Sequence, residues 1–133
     1  AASVRLITAQ RLVRRLCEHC KQPMSAAEID FFFHTLSERD KQAIASHMRT
    51  AASPHKAIGC DVCDKGYKGR IGLYQVMPIS DAMQTLIMRD SDTQALAAQA
   101  ELEGVRTLRQ AGWMKVLQGI TSVEEVMALT HHG

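Results

Sequence analysis

The sequence lacks any apolar run long enough to cross a membrane, and no charged start followed by an apolar stretch indicates a signal peptide. It also lacks a strong net charge, because 16 lysines and arginines are balanced by 14 acidic residues, which leaves a net charge of +2. That balance argues against a protein whose main task is to coat nucleic acid. The 133 residues fit one ordinary domain or two very small ones, and 46% hydrophobic residues supply a modest core. We therefore expect a folded protein of the cytosol.

Motifs of catalysis are missing as well. The sequence contains no Gly-x-x-x-x-Gly-Lys-Ser/Thr phosphate loop, no Gly-x-Ser-x-Gly nucleophile turn and no His-Glu-x-x-His pair. No group of residues in it combines a nucleophile, a base and an anion-binding element. We therefore predict that these 133 residues contain neither a catalytic nor a cofactor-binding residue.

What the sequence does contain is two matched Cys-x-x-Cys pairs, which use all four of its cysteines: Cys17 with Cys20, and Cys60 with Cys63. In a reducing compartment such pairs indicate metal ligands or redox groups before structural disulfides. Zinc prefers four ligands at tetrahedral corners, and each pair can supply two thiolates from one tight turn. Four thiolates leave no open position for water or substrate. The pattern thus predicts a structural zinc site that joins two distant segments.

Two other interpretations of the cysteines remain. A thioredoxin-like redox pair would place one Cys-x-x-Cys at a helix N-terminus within a βαβ unit, whereas Cys17 and Cys20 follow a predicted helix. Four unrelated buried thiols would leave the repeated spacing unexplained. Structural zinc is the interpretation that uses all four residues.

Basic residues flank both pairs, and they allow two functional interpretations. They could offset the negative charge of a zinc ion bound by four thiolates. Alternatively, the chain could be a free-standing zinc-binding module that contacts nucleic acid through these flanks, although no set of stacking aromatics accompanies them. The residues concerned are Arg11, Arg14, Arg15, His19 and Lys21 on one side and Lys65, Lys68 and Arg70 on the other.

The hydrophobic pattern predicts a mostly α protein with a small β element. Residues 4–16 follow a helical period, so we expect an opening amphipathic helix that runs into Cys17. Ser25 with Glu28, and Ser37 with Asp40, mark the starts of two short helices between the cysteine pairs. A short extended segment follows the second pair and ends at Pro78, and helices fill the remainder.

Three stretches, "TAQRLVRRLCEHCK", "GCDVCDKGYKGRIGLYQVM" and "TLRQAGWMKVLQGITSVEEVMALT", carry a resemblance to a known family. In this order they resemble the C-terminal region of the type IV pilus assembly ATPases and of the related type II secretion ATPases. The resemblance implies that Cys17, Cys20, Cys60 and Cys63 bind zinc. It also implies three parts of the chain: a terminal helix of a RecA-like core (1–16), a tetracysteine zinc subdomain with a helical insert (17–78) and a C-terminal helical subdomain (79–133).

The resemblance further implies a function for the parent protein. Members of this family are hexameric motors that hydrolyse ATP with Mg²⁺ at a P-loop, and we expect those motifs upstream of residue 1. This chain alone should then be inactive. In the parent it would couple ATP turnover to the inner-membrane platform protein and contact other subunits of the motor. We expect a cytoplasmic location at the bacterial inner membrane, without insertion into it and without nucleic acid as a partner.

Overall fold

The computed structural model describes residues 5–50 and 53–130, which form six α-helices and two antiparallel sheets of two strands each. The strands are β1 (Arg5–Leu16), β2 (Gln22–Pro23), β3 (His55–Lys56) and β4 (Tyr67–Pro78). The helices are α1 (Ala26–Thr35), α2 (Glu38–Thr50), α3 (Asp81–Met88), α4 (Thr93–Leu102), α5 (Leu108–Leu117) and α6 (Val123–Leu129). The predicted class, mostly α with a small β element, is confirmed at this level. None of the helices in these ranges is both long and apolar enough to cross a membrane.

The prediction of an opening helix over residues 4–16 is wrong, because residues 5–16 form the strand β1. β1 pairs with β4 along almost its whole length, for example Gln10 opposite Tyr74 and Val13 opposite Ile71. Neighbouring apolar residues, such as Leu12 and Val13, fit a helical stripe and also the two faces of a strand. The partner strand, more than 50 positions away in sequence, decides between the two.

The extended segment after the second cysteine pair is longer than the short strand that we expected. β4 comprises 12 residues and ends at Pro78, where the prediction placed its end. Two irregularities interrupt its pairing with β1, one near Thr8 and one near Arg15. The second lies directly before Cys17, so the strand turns into the first cysteine loop at that point.

The two predicted helix starts between the cysteine pairs are confirmed. Ser25 caps α1, because its side chain accepts a hydrogen bond from the Glu28 N–H at 3.1 Å while Glu28 accepts from the Ser25 N–H at 2.8 Å. The Ser37 hydroxyl accepts from the Asp40 N–H at 3.2 Å at the start of α2. The short pair of β2 and β3 closes the base of this helical insert.

The hydrophobic core combines the insert with the C-terminal helices. Its buried members come from α1, α2, α5 and α6 and from the turn between α1 and α2: Phe32, Leu36, Ile44, Trp113, Met114, Val116, Leu117 and Val126. The ring of Phe32 meets that of Trp113 edge to face at 5.1 Å between centroids. Asp40 accepts the indole N–H of Trp113 at 3.0 Å. The core joins residues on both sides of residue 78, the predicted boundary between the second and third parts of the chain. It therefore packs the helical insert against α5 and α6. The proposed boundaries of the three parts stay predictions.

Candidate metal centre

The first cysteine pair lies in a tight turn that follows β1. Cys17 is only 1% exposed, because Leu16 ends the strand inside the core and brings Cys17 in with it. The Lys21 N–H donates to the Cys17 carbonyl at 3.0 Å and closes the turn. The Cys17 N–H donates to the Gly66 carbonyl at 2.8 Å, so this turn is bound directly to the second one.

The second cysteine pair lies in a turn that precedes β4. The Cys63 N–H reaches the Cys60 carbonyl at 3.4 Å, and the Gly66 N–H donates to the Cys63 sulfur at 3.3 Å. Gly66 has φ +102, and a Cβ at this position would lie 2.7 Å from the Cβ of Ala57. Only glycine combines this backbone conformation with so close an approach.

The four thiols converge on one point although 39 residues separate the two pairs. All four Sγ atoms lie within 4.8 Å of one another. The Sγ atoms of Cys17 and Cys60 are 3.8 Å apart, as are those of Cys20 and Cys63, and the Cys60 and Cys63 sulfurs are 3.5 Å apart. A tetrahedron with metal–sulfur bonds of about 2.3 Å has edges of about 3.8 Å. The thiols are free, and their spacing fits a tetrahedral metal ion.

Backbone N–H groups point at the sulfur atoms. Besides Gly66, the Gly59 N–H donates to the Cys20 sulfur and the Cys60 N–H to the Cys63 sulfur, both at 3.3 Å. Such donors favour thiolates, which are the form that binds metal. The two turns therefore supply both the ligands and the dipoles that offset their charge.

The acidities of the thiols differ within the cluster. Burial raises the pKa of Cys17, but the N–H groups of His19 and Cys20 and the neighbouring thiols lower it to about 7. The Val62 N–H favours the Cys60 thiolate, yet burial and the other thiols raise the pKa of Cys60 to about 12. Four adjacent thiolates repel one another, so protons remain on the cluster until a cation replaces them.

The redox interpretation finds no support in this geometry. Cys17 and Cys20 follow strand β1, not the helix that we predicted, and neither pair opens a helix in the described part of the chain. The thiol with the lowered pKa, Cys17, is 1% exposed, so an external disulfide substrate has little access to it. A thiol oxidoreductase needs that thiol at the surface.

The turn between α5 and α6 holds the first cysteine turn in place. The Leu16 N–H donates to the Ile120 carbonyl at 2.8 Å, and the Lys21 ammonium donates to the Gly119 carbonyl at 2.9 Å. Gly119 has φ +75, and a Cβ there would lie 2.8 Å from the Ser53 carbonyl oxygen. One backbone hydrogen bond and one side-chain hydrogen bond thereby attach the first cysteine turn to the turn between α5 and α6.

A polar network beside the centre also joins β1 to α6. Glu125 is only 5% exposed, and its Oε1 forms an ion pair with Nη2 of Arg14 at 2.7 Å. The same guanidinium lies 4.1 Å from the centroid of the Tyr67 ring, and the Tyr67 hydroxyl bonds to the Ser122 hydroxyl at 2.7 Å. Sequence reasoning missed Glu125. The available signal was its position three residues after the capping Ser122, but that signal predicts a helix cap and not a partner on β1.

The basic residues near the cysteines divide into two groups. Arg14 pairs with Glu125, and Lys21 pairs with Glu18 at 3.0 Å, so these two have structural partners. The others are exposed and form no ion pair within residues 5–50 and 53–130: Arg11, Arg15, Lys65, Lys68 and Arg70. His19 is exposed as well.

Comparison with known proteins places the chain among secretion and pilus assembly proteins. The family model described as Type II/IV secretion system protein matches residues 1–128. The Type IV pilus assembly ATPase PilB of Pseudomonas aeruginosa is 40% identical over 130 residues, which cover 98% of this chain and 22% of that protein. PilB of Acinetobacter baylyi is 38% identical over 98% of this chain and 21% of its own length. The Type II secretion system protein E of P. aeruginosa is 37% identical over 93% of this chain and 23% of its own length. The chain thus spans about a fifth of the length of these curated relatives.

Proposed function

Because the chain belongs to the Type II/IV secretion system protein family, we propose that it is the zinc-binding C-terminal part of a hexameric ATPase. In this proposal the parent motor powers type IV pilus extension, with type II secretion as the alternative pathway. Relatives from both pathways support the proposal, with 38% and 40% identity for two PilB proteins and 37% for the secretion protein. Family membership also favours this function over a free-standing module that binds nucleic acid.

The metal in this proposal is zinc, held by Cys17, Cys20, Cys60 and Cys63. Three observations support it: the four-thiol ligand set, the convergence of the sulfurs with three of their distances at 3.5 to 3.8 Å, and the backbone N–H groups directed at the sulfurs. A bound zinc ion would supply four strong bonds and no open coordination position. The role is therefore structural.

The single observation that carries the mechanical role is the position of the two cysteine turns. They lie between the β1–β4 pair and the turn after α5, and hydrogen bonds from Leu16, Cys17 and Lys21 attach the first turn to both sides. A displacement of β1 would therefore move α5 and α6 with it. We infer that ATP-driven motion of the parent passes through this junction to the inner-membrane platform protein.

In this proposal the nucleotide binds to the part of the parent protein that lies outside these 133 residues. The relatives' names describe them as ATPases, and this chain corresponds to about a fifth of their length. The chain alone should therefore not hydrolyse ATP, whereas the parent does so with Mg²⁺. The parent would act on the cytoplasmic side of the inner membrane, alongside the other subunits of the same motor.

The test is the substitution Cys60→Ser in the parent protein, with Asp61→Ser in the same turn as the matched control. Asp61 is exposed and is not one of the four thiol ligands. We expect C60S to lose zinc and surface pili while the purified parent still hydrolyses ATP, and D61S to keep all three. Retained hydrolysis shows that the motor has folded.

Two results would contradict the proposal. Normal piliation with a zinc-free C60S parent would show that the centre is dispensable. Loss of secretion with normal pili in the same strain would assign the parent to the type II pathway.

A further inference from the structure

A groove of about 300 Å³ lies over the first cysteine turn, and the metal ligand Cys17 forms part of its lining together with His19. Its lining combines apolar and cationic groups. Val62 supplies the exposed apolar surface above the buried Leu16, and Arg15 and Lys68 supply the positive charge. Val62 is 51% exposed, although it stands between two cysteines that converge inward. The exposed Val62 side chain therefore offers apolar surface to a ligand between the cationic side chains of Arg15 and Lys68.

The two cations of the groove have no acidic partner in the described parts of the chain. Arg15 comes from β1 and Lys68 from β4, next to the paired residues Leu16 and Tyr67. A Cβ added at Gly69 would lie 3.7 Å from the Cδ of Arg15, so the stem of Arg15 extends over β4 at that glycine. The two strands therefore bring both positive charges to one opening.

The acidic residue that lines the groove is already bound elsewhere. Glu18 receives the Lys21 ammonium at 3.0 Å, and the same ammonium donates to the Gly119 carbonyl. The charge of Glu18 is thereby offset by Lys21. Arg15 and Lys68 keep their charge available for a ligand.

We propose that this groove binds an acidic protein segment in which carboxylates flank one aliphatic side chain. The carboxylates pair with Arg15 and Lys68, and the aliphatic side chain covers Val62. The proposal rests on the proposed function, since the segment would belong to a protein that works with the motor. Nucleic acid fits less well, because the lining contains no Phe, Tyr or Trp and only the His19 imidazole for base stacking, and because it places the Glu18 carboxylate beside any phosphate chain.

The test measures fluorescence anisotropy of a labelled Glu-Glu-Leu-Glu-Glu peptide with the zinc-loaded chain. We expect saturable binding that weakens about tenfold in the double variant Arg15→Ala/Lys68→Ala and less in Val62→Ser. The matched control is Arg89→Ala/Arg106→Ala, which removes the same charge from two exposed positions outside the groove. A Glu-Glu-Ser-Glu-Glu peptide should bind more weakly than the leucine peptide. Zinc content shows that each variant has folded.

Three outcomes would overturn the proposal. The first is absence of peptide binding, and the second is equal weakening in the groove variant and in the charge-matched control. The third is tighter binding of a single-stranded oligonucleotide or of anionic phosphatidylglycerol vesicles with the same dependence on Arg15 and Lys68. Each of these leaves the test with Cys60→Ser unaffected, because that test reads zinc, ATP hydrolysis and pili.

Discussion

Arg14 and Glu125 form an ion pair between β1 and α6 across 111 positions of sequence. Nε and Nη2 of Arg14 donate to Oε1 of Glu125 at 2.9 and 2.7 Å, and the backbone N–H of Arg14 donates to Oε2 at 2.8 Å. One buried carboxylate thus satisfies a side chain and a main-chain group of the same residue. Three donors would lose their acceptor if this carboxylate were removed.

Glu125→Ala should therefore destabilise the protein by about 2 kcal/mol, because it leaves N–H groups of β1 unpaired near the core. Arg14 is half exposed, so water screens part of the pair and keeps the loss below that of a fully buried one. The matched control is Glu124→Ala at the exposed neighbouring position, for which we expect a loss below about 1 kcal/mol. Urea denaturation at neutral pH measures both. Equal losses would contradict the structural role of Glu125.

Gly112→Ala should destabilise the contact between α5 and α6. A Cβ at Gly112 would lie 2.6 Å from Cγ1 and 2.9 Å from Cγ2 of Val126, so the two helices would have to separate. We expect a loss of about 1–3 kcal/mol. The double variant Gly112→Ala/Val126→Ala should cost at least about 1 kcal/mol less than the sum of the two single losses, because the smaller side chain makes room. Additive losses in a double-mutant cycle would rule out this clash as the cause.

Glu28 should make stability depend on pH at the acidic end. The Ser25 backbone N–H and the Lys56 ammonium lower the pKa of the Glu28 carboxyl in the folded state. Its contribution is then complete above the unfolded value of about 4.3 and is lost as the pH falls through the folded pKa. The variant Glu28→Gln keeps the shape of the cap but not the charge. The difference in unfolding free energy between wild type and variant should shrink from pH 7 towards pH 2, and a constant difference would contradict it.

Removal of zinc should loosen the cysteine turns before it affects the helical core. We expect native mass spectrometry to find one zinc ion per chain, and chelation to accelerate hydrogen exchange at the amides of Leu16 and Cys17. The Val116 amide, within α5, should stay protected, and the emission of buried Trp113 should change little. A red shift of Trp113 emission in step with zinc loss would show that the core depends on the metal. A metal-free mass lower by about four protons would indicate two disulfides instead of the proposed site.

The parts of the fold that could be predicted from sequence have local or repeated signals. Ser25 with Glu28, and Ser37 with Asp40, lie within one helical turn of each other, so the helix starts follow from the sequence itself. The convergence of the four cysteines follows from the repeated spacing, because one tetrahedral ion needs two such turns.

The parts that could not be predicted depend on partners far away in sequence. β1 has a helical hydrophobic period, and only its pairing with β4 makes it a strand. The methionines show the same limit, because Met83 and Met114 are buried whereas Met88 and Met127, also on helices, are exposed. Periodicity identifies the apolar face of a helix but not whether a neighbour covers it.

The pairing of β1 with α6 also determines when the chain can finish folding during synthesis. β1 and the first cysteine turn leave the ribosome more than 100 residues before their acceptors at Ile120 and Glu125. Closing so long a loop makes this contact late and slow compared with the helix caps. The first cysteine turn lacks its partners until the turn after α5 emerges, and the Arg14 N–H lacks its acceptor until α6 emerges. A nascent chain halted before Gly119 would therefore carry the four cysteines without the two carbonyl groups that attach the first cysteine turn.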